Sequence, residues 1–479
     1  MPASKDLPTD DPQLPSSRLK LVTWLVTGAL FMEILDGAII APALPAMARA
    51  FGTTALELNI GISVYLLAVG IFIPASGWIA DRFGSRKIFM LAIALFTASS
   101  VLCGLSGSLW SFMAMRALQG FSGALMVPVG RLVILKYTPK DRLMAAMSAL
   151  IWPALVAPVI GPPLGGLITL HLGWHWIFFL NLPLGLGALY AAWRLVPDVR
   201  ESALRRFDWP GFLLCGAGTF LLLYGLERLV AAASALNLGI TGAGLLLVLL
   251  AFRHFGRARN PMLQLAALRV PTFRAVLRGG SLMRMAIGST PFLLTLMFQV
   301  GFGYDAFKAG WLVLILFAGN LAMKTITTPI LRRLGYRPVL VWNGVLAAAC
   351  LGACAALGPA TPLPLVGLVL LANGMTRSMQ FTALGTVSFA DIRKDDMSDA
   401  NGLSNTIGQL TMAAGITLAA MAVYVGQSLA PAAAGYRPYQ IAFGLMALVA
   451  LASVAEMALL PRGAGDHFID RRRTPGPNT

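Results

Sequence analysis

Charge is scarce in this 479-residue sequence: only 12% of its residues are Asp, Glu, Lys or Arg, about half the usual share in soluble domains. By contrast 57% are hydrophobic and the mean hydropathy is +0.75. These figures exclude an ordinary soluble fold and point to an integral membrane protein. Cysteine is scarce too. Cys103, Cys215, Cys350 and Cys354 all fall in apolar stretches, outside any CxxC or Cys/His grouping with zinc spacing. Of the four histidines, His171 and His175 have the spacing of a helical metal pair, but no acidic third ligand is near and packing is the expected role. No metal and no cofactor are expected. A GK[ST] phosphate loop is missing, as is a nucleophile with a nearby histidine, so neither an enzyme nor an ATP-driven pump is expected. Basic residues outnumber acidic ones 37 to 20, for a net charge of +17, yet they are scattered between apolar runs without interleaved aromatics. Nucleic acid is therefore not an expected partner.

What the chain does have is a succession of apolar runs: 21–45, 57–80, 88–107, 110–135, 143–170, 175–196, 210–230, 236–253, 275–302, 309–331, 338–358, 362–389, 401–426 and 439–460. They are continuous, whereas barrel strands would be about 10 residues of alternating polarity, so fourteen transmembrane helices are predicted. Fourteen spans of about 21 residues leave no space for a separate soluble domain. Lys and Arg accumulate in alternate loops, from Lys5, Arg18 and Lys20 through Lys140, Arg142, Arg205, Arg206, Arg393 and Lys394 to Arg471, Arg472 and Arg473. That bias predicts both termini in the cytoplasm. The polar, Pro-rich first 20 residues read as a disordered tail without a cleaved signal.

Two loops are copies of one another. GWIADRFGSRK (77–87) and TPILRRLGYRP (328–338) share Arg82, Gly84 and Arg86 with Arg333, Gly335 and Arg337, an offset of 251 residues. Six helices per copy leave two extra helices between them. The expected organisation is a tail at 1–20, a six-helix half at 21–196, a loop and inserted helices at 197–255, an amphipathic connector helix at 256–274, a second half at 275–460 and a tail at 461–479. Parallel six-helix halves around a cleft resemble the major facilitator superfamily. Gly77, Asp81, Arg82, Gly84, Arg86 and Lys87 are similar to its loop 2–3 signature; LDGAIIAPALP (35–45), RALQGFSGA (116–124) and GPPLGG (161–166) resemble its first-, fourth- and fifth-helix signatures. WHWIFFLNLPLG (174–185), RRFDWPGFLL (205–214) and NPMLQLAALRVPTF (260–273) resemble the fourteen-spanner drug:proton antiporter branch. Gly37, Ala38 and Ala41 depart from that branch, which often has Thr-Thr and an Asn there.

Three acids lie well within predicted spans: Glu33, Asp36 and Glu456. Glu456 is close enough to the span end to reach water. Glu33 and Asp36 are three apart and so share a helix face, and ionisable side chains within a membrane usually face a cavity. Proton coupling through Asp36 and Glu33 is expected, with Arg116 at a similar depth as partner; simple pairing of an acid with a buried arginine is the alternative. The loop residues 77–87 read as a gate, with Gly77 and Gly84 for close approach and a tight turn and Asp81 latching to Arg131. Gly161, Pro162, Gly165 and Gly166 are either a hinge or tight packing. Gln119, Arg284, Gln299, Lys324, Arg377 and Gln380 are cavity candidates, Arg284 standing 251 residues after Glu33. Five in-span bases against two deep acids would suit an anionic or zwitterionic ligand as well as the family's lipophilic cations.

The leading expectation is proton-driven export of small amphipathic compounds, multidrug-efflux style, by a monomer in the bacterial inner membrane, with substrate, protons and lipid as its partners. A specific metabolite exporter, for which an anion is one option, and a non-transporting sensor or scaffold are the alternatives.

Overall fold

The structure, a computed structural model, describes residues 16–58, 60–137, 151–197, 207–231, 234–259, 261–392, 397–429 and 435–460. Among them the architecture is all helical. The long helices are α1 (Ser16–Ile39), α2 (Ile60–Phe83), α3 (Ser85–Gly104), α4 (Leu109–Tyr137), α5 (Ile151–His171), α6 (Asn181–Leu195), α7 (Trp209–Ala231), α8 (Ala235–Phe255), α9 (Pro271–Gly288), α10 (Ala306–Leu334), α11 (Tyr336–Ala355), α12 (Leu363–Val387), α13 (Met397–Leu429) and α14 (Arg437–Ala458). Twelve helical segments are long and apolar enough to cross a membrane, which makes this a multi-pass membrane protein. The two long helices outside that set have evident reasons. In α5 the described apolar stretch is Val156–His171, and α12 carries Asn373, Arg377, Ser378 and Gln380 in its middle. Residues 1–15, 143–150, 198–206, 393–396 and 461–479, which include Lys5, Arg205, Arg206, Arg393, Lys394 and the tail arginines of the topology reading, lie outside the described residues, as do Lys140 and Arg142.

The duplicated loops take the same form. Gly84 (φ 93°) and Gly335 (φ 81°) both stand in the left-handed region immediately before α3 and α11, a conformation that a Cβ disfavours. Two residues on, Arg86 Nη2 donates to the Trp193 carbonyl at 2.5 Å and Arg337 Nη2 donates to the Ala458 carbonyl at 2.7 Å. Each arginine therefore staples the loop to the last helix of its own half and satisfies a carbonyl near that helix's C-terminus. The symmetry reaches the interior: Cys103 Sγ faces Gln119 Oε1 at 3.9 Å, and Asn373 Nδ2 faces Cys354 Sγ at 3.7 Å. Cys103 and Cys354 are again 251 residues apart. Since the loops carrying Arg82, Arg86, Arg333 and Arg337 lie at one end of the bundle, that end is called the basic end below.

Bare backbone lets the halves meet. Side chains on Gly166 and Gly310 would collide with Ala306 and Phe307 of α10 and with Pro162 of α5, and a Cβ on Gly70 of α2 would lie 2.9 Å from Leu410 of α13. The α5–α10 contact sits toward the end opposite the basic one. There too Gln299 Nε2 donates to the Pro42 carbonyl at 3.0 Å, linking a π-turn (Met297–Gly301) that follows α9 to a 3-10 turn (Ala41–Ala43) that follows α1.

The inserted pair α7 and α8 pack on each other through Gly218, Gly225 and Gly244, none of which has space for a side chain. Close backbone contact at small residues is how helices associate where lipid removes the hydrophobic drive. The outward face of α8 is paved with exposed Leu236, Leu238, Leu245, Leu246 and Leu249.

The expected amphipathic connector helix at 256–274 is not there. Residues 261–265 are irregular, with a bend at Met262 and Leu263, one 3-10 turn covers Ala266–Arg269, and α9 already begins at Pro271. Pro261 and Pro271 bracket the segment and disfavour helix in the residues before them. Its leucines instead enter a cluster in which Leu263, Phe255, Phe273 and Leu403 are buried together.

One carboxylate ties this region down. Asp208 caps α7 by accepting from Gly211 N (2.9 Å), while His254 Nε2 at the end of α8 (2.7 Å) and Met262 N of the connector (2.9 Å) also meet it. Burial pushes the Asp208 carboxyl up, but the three donors outweigh it and hold it below the usual aspartate range. Stability from such a group is present above the ordinary aspartate pKa and is lost as pH falls through the lowered folded value. Asp208→Ala should therefore cost about 2 kcal/mol at neutral pH. In thermal unfolding followed at successive pH values, the gap between variant and parent should close below about pH 4. A gap that persists at low pH would refute the charge-linked origin.

Candidate proton and substrate site

α1 carries both deep acids on one face, and the helices around it determine what each becomes. Asp36 is fully buried. Its Oδ2 accepts from Arg116 Nη1 of α4 at 2.7 Å, and its Oδ1 accepts from Gln119 Nε2 at 2.9 Å and from Asn181 Nδ2 at 2.8 Å. Gln119 Oε1 also receives an N–H from Arg116, so the amide holds both members of the ion pair. Asn181 is fixed in turn by Ser100 Oγ at 2.9 Å, which itself donates to the Phe178 carbonyl. The Tyr65 ring lies under the guanidinium, 4.3 Å from Cζ to centroid. Two further Arg116 nitrogens, Nε and Nη2, are buried without an acceptor.

A buried carboxylate needs a counter-charge and donors to its remaining lone pairs. Asp36 has both. Glu33 does not. Its Oε2 is buried and accepts no hydrogen bond, while its Oε1 points to Gly123, where a Cβ would lie 3.2 Å away and only 3.4 Å from the Tyr65 hydroxyl. The missing side chain at Gly123 is thus the space the carboxyl occupies. Arg131, which the sequence paired with Asp81, acts on Glu33 as an attractive charge, and Asp36 acts as a repulsive one.

Gln119 is therefore a clamp on a carboxylate and not the lining of an open cavity. Gln380 also leaves the cavity candidates: it is fully buried, its Oε1 accepts from Asn343 Nδ2 at 2.8 Å and its Nε2 donates to the Leu340 carbonyl at 3.1 Å. Gln299 joins the halves at Pro42, as described above. Arg377 Nη1 donates to the Ile287 carbonyl at 3.0 Å and its Cζ lies 5.5 Å and 5.4 Å from the Phe317 and Phe381 rings. Lys324 Nζ donates to Thr382 Oγ1 at 2.8 Å, whereas Arg284 makes no hydrogen bond among the described residues and passes close to Gly408.

In the loop 77–87, Gly84 makes the tight turn and Arg86 the staple. Arg82 is exposed beside Trp78 and Phe83, Lys87 is exposed, and Asp81 is half-buried in the last turn of α2. Gly77 departs from expectation: a Cβ there would meet nothing within 4 Å, so no close helix approach depends on it. Arg131 is exposed on α4. The α5 glycines serve two contacts: Gly161 and Gly165 press on Ala38 and Ile39 of α1 in the same half, while Gly166 presses on α10 of the other half and the Pro162 carbonyl fills the space at Gly310.

Sequence reasoning missed Asn181 and Tyr65. Asn181 lies in a stretch quoted only for its resemblance, and an amide next to a span break was the available signal. Tyr65 offered only a phenol inside an apolar run.

The chain is 37% identical over 403 residues to the putative multidrug resistance protein MdtD of Salmonella paratyphi A, covering 83% of this chain and 85% of the relative, and equally so to MdtD of Salmonella typhimurium. Among solved structures, an auto-inhibited POT family peptide transporter superposes with a TM-score of 0.66 at 16% identity, covering 93% of this chain and 97% of its own. An inward-facing bacterial homolog of the human lysosomal transporter Spinster gives 0.65 at 15%, over 97% and 100%. The human organic anion transporter MFSD10 gives 0.61 at 16%, over 93% and 100%. The profile of the Major Facilitator Superfamily matches residues 26–416, and the chain belongs to that family of membrane transporters.

Proposed function

We propose that this protein is a secondary active exporter of small amphipathic compounds, of the multidrug-efflux type, driven by proton entry. It spans a bacterial inner membrane fourteen times as a monomer, with two six-helix halves, the inserted pair α7–α8 between them and both termini in the cytoplasm. The basic end then faces the cytoplasm, in line with the positive-inside rule, and the α5–α10 and Gln299–Pro42 contacts close the opposite, outer end.

The observation that carries the coupling is the contrast between two carboxyls three residues apart: Asp36 held by Arg116, Gln119 and Asn181, and Glu33 with an oxygen that no donor meets. Asp36 and Arg116 form a standing ion pair. Glu33 is the group that exchanges the proton, in a space kept open at Gly123. Gain or loss of its charge changes the repulsion felt by Asp36 and thereby the hold of α1 on α4 and α6. Because α1 also touches α5 through Ala38 and Ile39, that change reaches the contact between the halves. A proton and a substrate that both alter this one charge balance exchange for each other, and alternating access needs no covalent step.

Two experiments bear on this reading. In proteoliposomes with an internal pH dye, substrate-driven proton flux should fall at least tenfold in Glu33→Gln and in Asp36→Asn, with each variant still eluting as a folded monomer. Unchanged antiport in both would remove the coupling account. For the ion pair, Asp36→Ala leaves Arg116 charged and unpaired, which costs about 3–5 kcal/mol. The double variant Asp36→Asn/Arg116→Gln should regain more than half of the lost thermal stability, and additive losses would argue against a buried pair.

A further inference from the structure

The charges within the long helices do not balance. Asp36 offsets Arg116, and Glu456 meets Arg278 at 3.4 Å. Arg131 is the attractive charge on Glu33, which leaves Arg284, Lys324 and Arg377. In α9, α10, α11, α12 and α14, Glu456 is the only acid in the sequence, and Asp399 stands in the first turn of α13. The second half thus holds three deep bases and no deep acid to match them. A charge within the membrane thickness is costly unless something compensates it.

These bases are also less completely enclosed than Arg116. Arg116 has nitrogens sealed in packed protein, but no nitrogen of Arg284, Lys324 or Arg377 is both buried and without a partner. Since Arg284 makes no hydrogen bond among the described residues, its N–H groups border accessible volume. It passes Gly408 of α13, on the helix whose Leu410 meets α2 of the other half at Gly70. Arg377 bonds the carbonyl of Ile287, one turn along α9 from Arg284, which sets the two guanidinium groups at similar depth. Its plane is flanked by Phe317 and Phe381, and Lys324 reaches Thr382, the next residue of α12.

An arginine fork with unused donors matches a carboxylate or sulfonate, and aromatic faces alongside match a planar apolar body. We infer that the preferred substrates are amphipathic organic anions, whose acidic group is held by Arg284 and Arg377 while the ring system lies against the half-buried Phe381. This rests on the transporter reading but not on the identity of the proton carrier. Lys324 adds attraction at the approach to the pair. The anion supplies the negative charge that the second half lacks.

A matched set of probes separates the possibilities: 1-naphthylacetate, 2-(1-naphthyl)ethanol and 2-(1-naphthyl)ethylammonium share one ring and differ in charge. Equilibrium binding to the full-length protein in nanodiscs should favour the carboxylate at least tenfold over both others. Arg284→Gln, which breaks no hydrogen bond, should weaken carboxylate binding about tenfold and change alcohol binding less than twofold. Arg377→Lys, which keeps the charge and loses the fork, should weaken the carboxylate by a smaller factor than Arg377→Gln. Equal or tighter binding of the ammonium, or carboxylate affinity unaltered in Arg284→Gln, overturns the inference. Proton flux measured in parallel keeps the two ideas apart. Ammonium-driven flux with weak carboxylate binding rejects the anion and leaves the antiport intact, whereas tight carboxylate binding without flux rejects the proton coupling and leaves the anion site standing.

Discussion

An ionised group in the interior of a membrane protein has to be matched by opposite charge and donors, or left where water or a ligand can reach it. That constraint organises this molecule. Asp36 draws Arg116 and Gln119 from α4 and Asn181 from α6 into one buried cluster, so α1, α4 and α6 are held together by polar contacts that lipid cannot replace. The α5–α10 and α7–α8 contacts are made through glycine instead, where backbones approach and dispersion does the binding. Polar attachment fixes the inside of the first half, and smooth small-residue contacts lie between the halves. The two kinds of interface are suited to different jobs, one to staying and one to sliding.

Much of this was legible in the sequence, because the relevant signals are local or periodic. Long apolar runs mark the helices, a fixed offset of 251 residues marks the duplication, and acids three apart mark a shared face. Depth counting along α1 and α4 was enough to pair Asp36 with Arg116. What escaped is of a different kind. The approach of Asn181 to Asp36 depends on how α6 comes to lie against α1 after the break at residue 180, and nothing in the local pattern encodes that. The connector was misread because leucine spacing suggested a helix, whereas Pro261 and Pro271 and a waiting hydrophobic pocket favoured bends. Gln380 shows the limit of residue type as a guide: an amide in a span serves a neighbouring amide and a carbonyl as readily as a cavity.

The halves have kept a common skeleton and divided their chemistry. Gly84 with Gly335, Arg86 with Arg337 and Cys103 with Cys354 keep equivalent places, and Cys103 reaches the deep ion pair only through its weak contact with the Gln119 amide. The deep acids Glu33 and Asp36 belong to the first half and the deep bases Arg284, Lys324 and Arg377 to the second, with Arg284 standing at the offset position of Glu33. Duplication supplied two copies of a frame, and the sites diverged within it.

The stapled loops have one more consequence. Each arginine fastens the start of the third helix of its half to the end of the sixth, so the base of either bundle resembles a buckled strap that cannot lengthen. A displacement at the start of the third helix is thereby shared with the end of the sixth in both bundles alike.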